Sequence, residues 1–213
     1  MRPAPPLTRG HPWSNGAVRV VAIVLAAGEG RRMGGPKALL RLGEETFLAR
    51  ACRVLARPGV ASVVAVLGAE AERVRAEARL PADVTVVVNG RWREGMLSSV
   101  CRGLDAAEAA AAEAVLLHPV DHPLVQATTI DRVVQALAAS AAIAVPTWDG
   151  HRGHPGGFHR PVFPELRAAP PDRGARAVLA AHPARVVHVP GDPGCVAGVD
   201  TPADFERALS WRA

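Results

Sequence analysis

Lysine is almost absent from this sequence: of its 25 Lys and Arg residues, only Lys37 is a lysine. Arginine supplies the positive charge everywhere else. An ammonium is a compact charge on a flexible stem, whereas a guanidinium is a rigid planar fork. Lys37 belongs to a glycine-rich segment, LAAGEGRRMGGPKALL at residues 25–40, whose backbone can approach a ligand closely. We therefore interpret Lys37 as a phosphate ligand rather than a solubilising charge.

Aromatic residues are also scarce, at 4% of the chain with no tyrosine. The formal net charge of +5 would suit a nucleic-acid partner, but no arginine run exceeds two residues and few aromatic rings are available to stack on bases. We therefore expect no nucleic-acid partner. An arginine-biased genome and an anionic small-molecule substrate explain the basic balance better.

Cysteine is limited to Cys52, Cys101 and Cys195, which are widely spaced and form no CxxC pair. This spacing argues against a disulfide framework or a zinc knuckle and favours a reduced, cytoplasmic protein. No apolar run approaches the roughly 20 residues that cross a bilayer, so we expect no membrane partner. Residues 1–17 are rich in proline and polar residues, and we expect a disordered extension there before a single domain at 18–213.

Short β-branched runs alternate with alanine-rich amphipathic stretches from residue 18 onwards. This alternation predicts a single-domain α/β fold with a doubly wound, mostly parallel or mixed, Rossmann-like sheet. The predicted strands are 18–26, 60–68, 84–88, 114–121, 141–146 and 184–189. The predicted helices are 44–57, 70–79, 96–112, 128–139, 173–181 and 201–211. Residues 148–164 are rich in Gly, His, Pro and Arg, and we expect a loop or short hairpin over the ligand site at the carboxyl ends of the strands.

The glycine-rich segment departs from two common phosphate-binding motifs. Gly30 and Gly35 have P-loop spacing, but Pro36 precedes the lysine and Ala38 stands where the magnesium-binding hydroxyl belongs. Met33 occupies the third glycine position of a dinucleotide fingerprint, and the second predicted strand ends without an acidic ribose ligand. Neither motif therefore describes the segment.

The segment resembles, nearly residue for residue, the LAAGxSxRMGxxK loop of nucleotidyltransferases related to molybdopterin cytidylyl- and guanylyltransferases. Four further blocks follow in the family's order: NGRWREGMLSSVCRGL (89–104), VDHPLV (120–125), RGHPGGF (152–158) and VDTPADF (199–205). The resemblance covers about residues 20–209. Gly30 replaces the family's usual serine and Val120 its usual glycine, and these departures concern the substrate more than the reaction class.

The resemblance implies a nucleoside triphosphate bound over the glycine-rich segment. A phosphate of a second substrate then attacks the α-phosphorus and pyrophosphate leaves. CTP and molybdopterin are the first expectation, with hand-off to a molybdoenzyme or chaperone. Three alternatives stay open: a sugar or small-alcohol phosphate as acceptor, a nucleotide-binding regulator without catalysis, and an NAD(P)-dependent oxidoreductase.

The same resemblance gives roles to individual residues. Lys37 would contact the α- or attacking phosphate, and Arg32 the leaving phosphates; together with Asp121 they are the predicted catalytic residues. The predicted nucleotide-binding residues are Leu25, Ala26, Ala27, Gly28, Gly30, Arg31, Lys37, Asn89 and Ser99. Asn89 and Ser99 suit ordinary turn and helix N-terminal roles equally well.

Asp121 and Asp200 are the predicted ligands of Mg²⁺, with Mn²⁺ as an alternative, because hard cations prefer carboxylate and phosphate oxygens. Asp200 precedes Thr-Pro, so it also suits a turn or a helix N-cap. A phosphate nucleophile is already ionised near neutral pH, so the site needs no dedicated general base.

The spacing of the histidines does not favour a metal site. His118 and His122 are four residues apart, but Pro119 and the strand pattern deny them a common helical face, which argues against a zinc site. His151, His154 and His159 suit either a metal cluster or a substrate-facing segment with ordinary hydrogen bonds, and we favour the second. His154 is the residue that we expect to contact the second substrate.

Overall fold

The computed structural model describes residues 18–211, and the predicted extension at 1–17 lies outside them. The described chain is an α/β domain built on a mixed eight-stranded sheet, with a separate two-stranded hairpin. The strands are β1 (Val20–Ala26), β2 (Arg41–Leu42), β3 (Glu45–Thr46), β4 (Val60–Leu67), β5 (Thr85–Val88), β6 (Ala114–Pro119), β7 (Ile143–Trp148), β8 (His151–Arg152), β9 (Gly156–His159) and β10 (Val186–Pro190). The helices are α1 (Phe47–Leu55), α2 (Ala71–Glu77), α3 (Met96–Ala109), α4 (Ala127–Ala138), α5 (Phe163–Arg167), α6 (Ala175–Ala181), α7 (Pro193–Val196) and α8 (Pro202–Leu209). The predicted doubly wound, mostly parallel fold is confirmed.

Strand β1 lies at the centre of the sheet, parallel to β4 on one side and to β6 on the other. All seven of its residues are buried, which explains its uninterrupted apolar sequence. Successive side chains point to opposite faces, so Ala22 and Val24 join one core while Ile23 and Leu25 join the other. Burial on both faces fixes β1, and with it the start of the glycine-rich segment.

The sheet order is β10-β7-β9-β6-β1-β4-β5, with β8 paired to β7. Strands β5, β4, β1 and β6 are parallel, so their carboxyl ends share one edge of the sheet. Loops that follow these strands therefore converge at that edge, where doubly wound folds bind ligands.

The prediction of a loop or hairpin over the site at residues 148–164 is wrong for its second half. Strand β9 is buried within the sheet, antiparallel to both β6 and β7. The prediction was wrong because glycine was taken as typical of a loop, whereas the glycines of β9 allow close packing. A Cβ at Gly157 would lie 2.8 Å from Val133 Cγ1 and 2.9 Å from Leu137 Cδ1 on α4. Glycine in a strand commonly marks such a close approach.

Helix α1 begins three residues later than predicted. Arg41–Leu42 and Glu45–Thr46 form the small hairpin, and the Thr46 hydroxyl accepts a hydrogen bond from the Ala49 amide at 3.1 Å, which caps the helix. Among residues 18–211, no helix is long and apolar enough to span a bilayer.

Candidate active site

A cleft of about 580 Å³ opens at the carboxyl edge of the sheet, between the segment after β1 and the start of α3. Five predicted nucleotide-binding residues line it: Leu25, Ala27, Gly28, Arg31 and Ser99. The other lining residues are Glu29, Trp92, Arg93, Gly95 and Met96. The cleft therefore joins the first two sequence blocks of the family resemblance.

The backbone of the glycine-rich segment is tightly folded around Gly30. The Gly30 carbonyl accepts hydrogen bonds from the amides of Met33 at 2.8 Å and Gly35 at 3.3 Å. Its φ is +67°, and a Cβ there would lie 1.9 Å from the Gly35 carbonyl oxygen. A side chain is therefore excluded in this conformation, which explains glycine where the family usually has serine. Ala26 is buried inside β1, and Arg32 is exposed on the following 3-10 turn.

Lys37 lies between the two predicted metal ligands. Its Nζ is 3.1 Å from Asp121 Oδ2 and 2.5 Å from Asp200 Oδ1. The Lys37 side chain is 17% exposed, against 23% for Asp121 and 59% for Asp200. The carboxylate oxygens of Asp121 and Asp200, which are far apart in sequence, thus both contact the Lys37 ammonium. Two such oxygens also suit a hard divalent ion.

A backbone hydrogen bond explains how Asp200 reaches Asp121. The Val199 amide donates to the Asp121 carbonyl at 2.8 Å, which joins the chain before α8 to the turn after β6. Asp200 is not the N-cap of α8, because Thr201 caps the helix in a capping box with Asp204, but the Asp200 amide takes part in this turn by donating to Asp204 Oδ2 at 3.0 Å. The Asp200 carboxylate is therefore available to Lys37.

The Lys37 ammonium and the Asp121 carboxylate favour each other's ionised form. Burial lowers the pKa of Lys37, but the hydrogen bond to Asp200 and the charge of Asp121 outweigh it, and the net pKa is raised. Burial raises the pKa of the Asp121 carboxyl, but the hydrogen bond with His122 and the charge of Lys37 together move it well below its usual range. Asp121 is therefore a carboxylate at neutral pH.

Three histidines lie beside Asp121. His122 Nδ1 is 3.0 Å from Asp121 Oδ1, and the His122 and His154 rings pack edge to face with centroids 4.5 Å apart. His118 is fully buried on β6. His159 Nε2 instead bonds the Leu137 carbonyl at 2.9 Å, in the core. Among residues 18–211, no group of three or more His, Cys, Asp or Glu residues is arranged to hold a metal ion, so a histidine metal cluster is not formed there.

Burial of His118 predicts a measurable pH dependence of stability. Burial, followed by the charge of His122, lowers the pKa of His118 from 6.5 to about 3. The unfolded chain then binds this proton below pH 6.5 while the folded chain does not, so stability falls as the pH drops from 6.5 towards 3. Relative to wild type, His118→Leu should gain about 2 kcal/mol more unfolding free energy at pH 5 than at pH 7. Urea denaturation at both pH values measures this difference.

The exposed His188 on β10 provides the control for this experiment. His188→Gln should follow the wild-type pH dependence. Equal pH dependence in wild type and His118→Leu would show that the buried imidazole does not titrate as described.

Asn89 is engaged in local structure rather than open to the cleft. Its Nδ2 donates to Ser98 Oγ at 2.8 Å and Ser99 Oγ at 3.0 Å, and its Oδ1 accepts from the Arg91 amide at 2.9 Å. This is the turn role that the sequence left open. Asn89 holds the start of α3 in place, and nucleotide contact by Asn89 stays a prediction.

Sequence reasoning overlooked several residues that shape the site. Trp92 and Met96 line the cleft, Met96 is 60% exposed, and the Arg93 guanidinium lies 4.4 Å from the centroid of the Trp92 ring. Both Trp92 and Met96 stand in the second motif block, so a signal was present. Asp192 precedes Pro193, which is an N-cap signal, but its contacts with Gln126 and Thr129 are visible only in three dimensions. It accepts hydrogen bonds from Gln126, Thr129 and Gly194 and so fixes α7 against α4.

Residues 22–186 match the family model of the MobA-like NTP transferase domain. The chain belongs to this family. Nicotine blue oxidoreductase from Paenarthrobacter nicotinovorans is 36% identical over 172 residues, 77% of this chain and 83% of that protein. The 2-C-methyl-D-erythritol 4-phosphate cytidylyltransferase from Thermobifida fusca is 38% identical over 140 residues, 62% of this chain and 55% of that protein. This chain spans about half the length of the Thermobifida fusca protein and about a third of a bifunctional IspD/IspF enzyme that it also matches.

The fold of this family member is also found in solved structures. Rv0371c from Mycobacterium tuberculosis H37Rv is 32% identical with a TM-score of 0.77, and the match covers 92% of this chain and all of that one. A second structure of Rv0371c is a complex with manganese and matches with a TM-score of 0.70 at 30% identity. The same architecture therefore accommodates manganese in a relative.

Proposed function

We propose that this protein is a metal-dependent nucleotidyltransferase that transfers CMP from CTP to the phosphate of a small sugar or alcohol and releases pyrophosphate. One observation carries the proposal: Lys37 bridges Asp121 and Asp200 at the edge where the nucleotide-sized cleft opens. Family membership and the curated cytidylyltransferase relatives support the reaction class and favour CTP.

The proposed reaction is a displacement at phosphorus. A phosphate oxygen of the acceptor forms a bond to the α-phosphorus of CTP, and the bond from this phosphorus to the bridging oxygen of the β-phosphate breaks. The electron pair leaves with pyrophosphate, and the product contains a new diphosphate linkage. The nucleophile is already ionised, so the protein's task is to align the groups and neutralise charge.

The cationic residues have separate tasks in this proposal. The Lys37 ammonium would move from the carboxylates to the α-phosphate, because a flexible stem can follow the charge as it develops. Arg31, in the cleft wall, and the exposed Arg32 would contact the leaving β- and γ-phosphates. The backbone of residues 25–28 and the Ser99 hydroxyl would hold the base and ribose.

Asp121 and Asp200 would hold the divalent cation, with Mg²⁺ favoured and Mn²⁺ as the alternative. Both supply the hard carboxylate oxygens such ions prefer, and both already face a shared cation in the form of Lys37. When bound, the ion supplies positive charge beside the phosphate oxygens.

The acceptor is proposed to be a phosphorylated sugar or small alcohol rather than molybdopterin. The Thermobifida fusca relative is named for cytidylyl transfer to 2-C-methyl-D-erythritol 4-phosphate, which favours this alternative over the molybdopterin expectation. No finding supports a hand-off to a molybdoenzyme or chaperone. His154, in contact with the His122 ring beside Asp121, is the histidine that we place nearest the acceptor.

A pyrophosphate-release assay tests the proposed function. CTP, GTP, UTP and ATP are each combined with Mg²⁺ and with 2-C-methyl-D-erythritol 4-phosphate, other sugar phosphates or molybdopterin. We expect pyrophosphate only with CTP and a sugar or alcohol phosphate, and a diphosphate linkage in the product by ³¹P NMR. Nucleotide binding without turnover for every acceptor would favour the regulator instead.

One observation supports the oxidoreductase alternative. The match covers 83% of nicotine blue oxidoreductase but 55% of the Thermobifida fusca cytidylyltransferase. The interrupted dinucleotide fingerprint at Met33 argues against a nicotinamide cofactor. NADH oxidation with a panel of electron acceptors, measured by absorbance beside the pyrophosphate assay, separates the two functions. Nucleotidyl transfer predicts no acceptor-dependent loss of NADH absorbance.

A further inference from the structure

We infer that His122 is a positioning residue, which holds the Asp121 carboxylate in the orientation that presents its second oxygen to the cationic site. The inference rests on the proposed function, because it assigns Asp121 to metal binding. It adds a residue to which the resemblance gives no role, since His122 stands at the x that follows the aspartate in the GDxPxV block.

The two oxygens of Asp121 have different partners. Oδ1 lies 3.0 Å from His122 Nδ1, and Oδ2 lies 3.1 Å from Lys37 Nζ. An ionised carboxylate only accepts hydrogen bonds, so His122 Nδ1 carries the hydrogen and donates it. One oxygen is thereby fixed by the imidazole N–H group, and the other is left to the exchangeable cation.

The His122 ring is itself held from two sides. Its centroid lies 4.5 Å from that of His154 with an interplanar angle of 64°. On another side it meets Gly198, where an added Cβ would lie 3.4 Å from His122 Cε1 and 3.5 Å from Nε2. Gly198 lies two residues before Asp200. The ring therefore packs against the segment that carries Asp200 as well as against His154. The imidazole side chain is only 17% exposed.

These contacts indicate positioning rather than proton transfer. The Nδ1 hydrogen is committed to Asp121, and a phosphate nucleophile requires no base. Hydrogen bonds that orient a ligating carboxylate usually matter for metal affinity, and their loss costs about 10- to 100-fold in affinity or activity. The role of His122 should therefore appear first in metal binding.

Two substitutions separate the donated hydrogen bond from the packing of the ring. His122→Phe keeps a ring against His154 and Gly198 but removes the donor, whereas His122→Asn restores an N–H group near the position of Nδ1. Mn²⁺ binding is titrated by electron paramagnetic resonance into the millimolar range without nucleotide, and thermal melts check folding. His188→Gln, an exposed histidine on β10, is the control.

We expect His122→Phe to weaken Mn²⁺ binding about tenfold and to raise the apparent KM for the metal more than it lowers kcat, and His122→Asn to restore affinity to within about threefold. Wild-type Mn²⁺ affinity in a folded His122→Phe variant would overturn this inference but would leave the proposed function standing. Equal weakening in folded Phe and Asn variants would also overturn it, because restoring the N–H group would then fail to restore metal affinity. Wild-type protein that binds no Mn²⁺ would overturn the metal site as well.

Discussion

Lys37→Gln should lower kcat/KM for CTP by about 100- to 1,000-fold, the usual cost of removing one group that stabilises transition-state charge. The same substitution should tighten Mn²⁺ binding in the absence of nucleotide. The ammonium occupies the space between Asp121 and Asp200, so the carboxylates must give it up when a divalent ion binds. An ion pair worth about 1 kcal/mol corresponds to roughly fivefold tighter binding. Pyrophosphate release and Mn²⁺ titration measure the two effects, which have opposite signs.

Arg167 provides a matched control for Lys37. It also bridges two carboxylates, Asp105 at 2.8 Å and Glu108 at 2.7 Å, but it does so between α3 and α5, away from the cleft. Arg167→Gln should leave both kcat/KM and Mn²⁺ affinity near wild type. A Lys37→Gln enzyme with near-normal turnover would remove Lys37 from the mechanism.

Asp121→Asn should abolish most activity, with a fall of about 100-fold or more in kcat, and should raise the metal concentration needed for half-maximal rate. The substitution removes the charge that attracts the divalent ion and also the partner of both Lys37 and His122. Asp200→Asn should have a smaller effect, because its side chain is more exposed and its charge is better screened by solvent. Rates measured across a Mg²⁺ series report both changes.

Asp131 on α4 serves as the control carboxylate for these variants. It forms a two-point ion pair at 3.0 Å with Arg57, in the loop after α1, rather than with Lys37. Asp131→Asn should keep the wild-type metal dependence. Unchanged metal dependence in Asp121→Asn would place the ion elsewhere.

Much of the fold could be predicted because local patterns and tertiary packing agree. Val20–Ala26 is apolar throughout and is buried on both faces, so its pattern reports its environment directly. Strand β9 could not be predicted, because Gly156 and Gly157 have the composition of a loop. They are glycines because a ring and a helix pack against them. Single-sequence patterns do not distinguish these two uses of glycine.

The candidate site, like the fold, could be predicted from the sequence only in part. Residue chemistry and the family resemblance together singled out Lys37, Asp121 and Asp200, and the structure brings all three together. The contact that joins them, from the Val199 amide to the Asp121 carbonyl, is made by backbone atoms and leaves no trace in residue type. The hydrogen bond from His122 depends on a ring orientation set by His154 and Gly198, which are far away in sequence. Contacts between residues so far apart in sequence become visible only in the folded structure.

A crystal structure with Mn²⁺ and a non-hydrolysable CTP analogue tests the central claim most directly. The account predicts an anomalous manganese peak in contact with Asp121 and Asp200, the triphosphate over residues 28–35, and the Lys37 ammonium moved onto a phosphate oxygen. A triphosphate bound away from the glycine-rich segment, with Lys37 still between the two carboxylates, would contradict it.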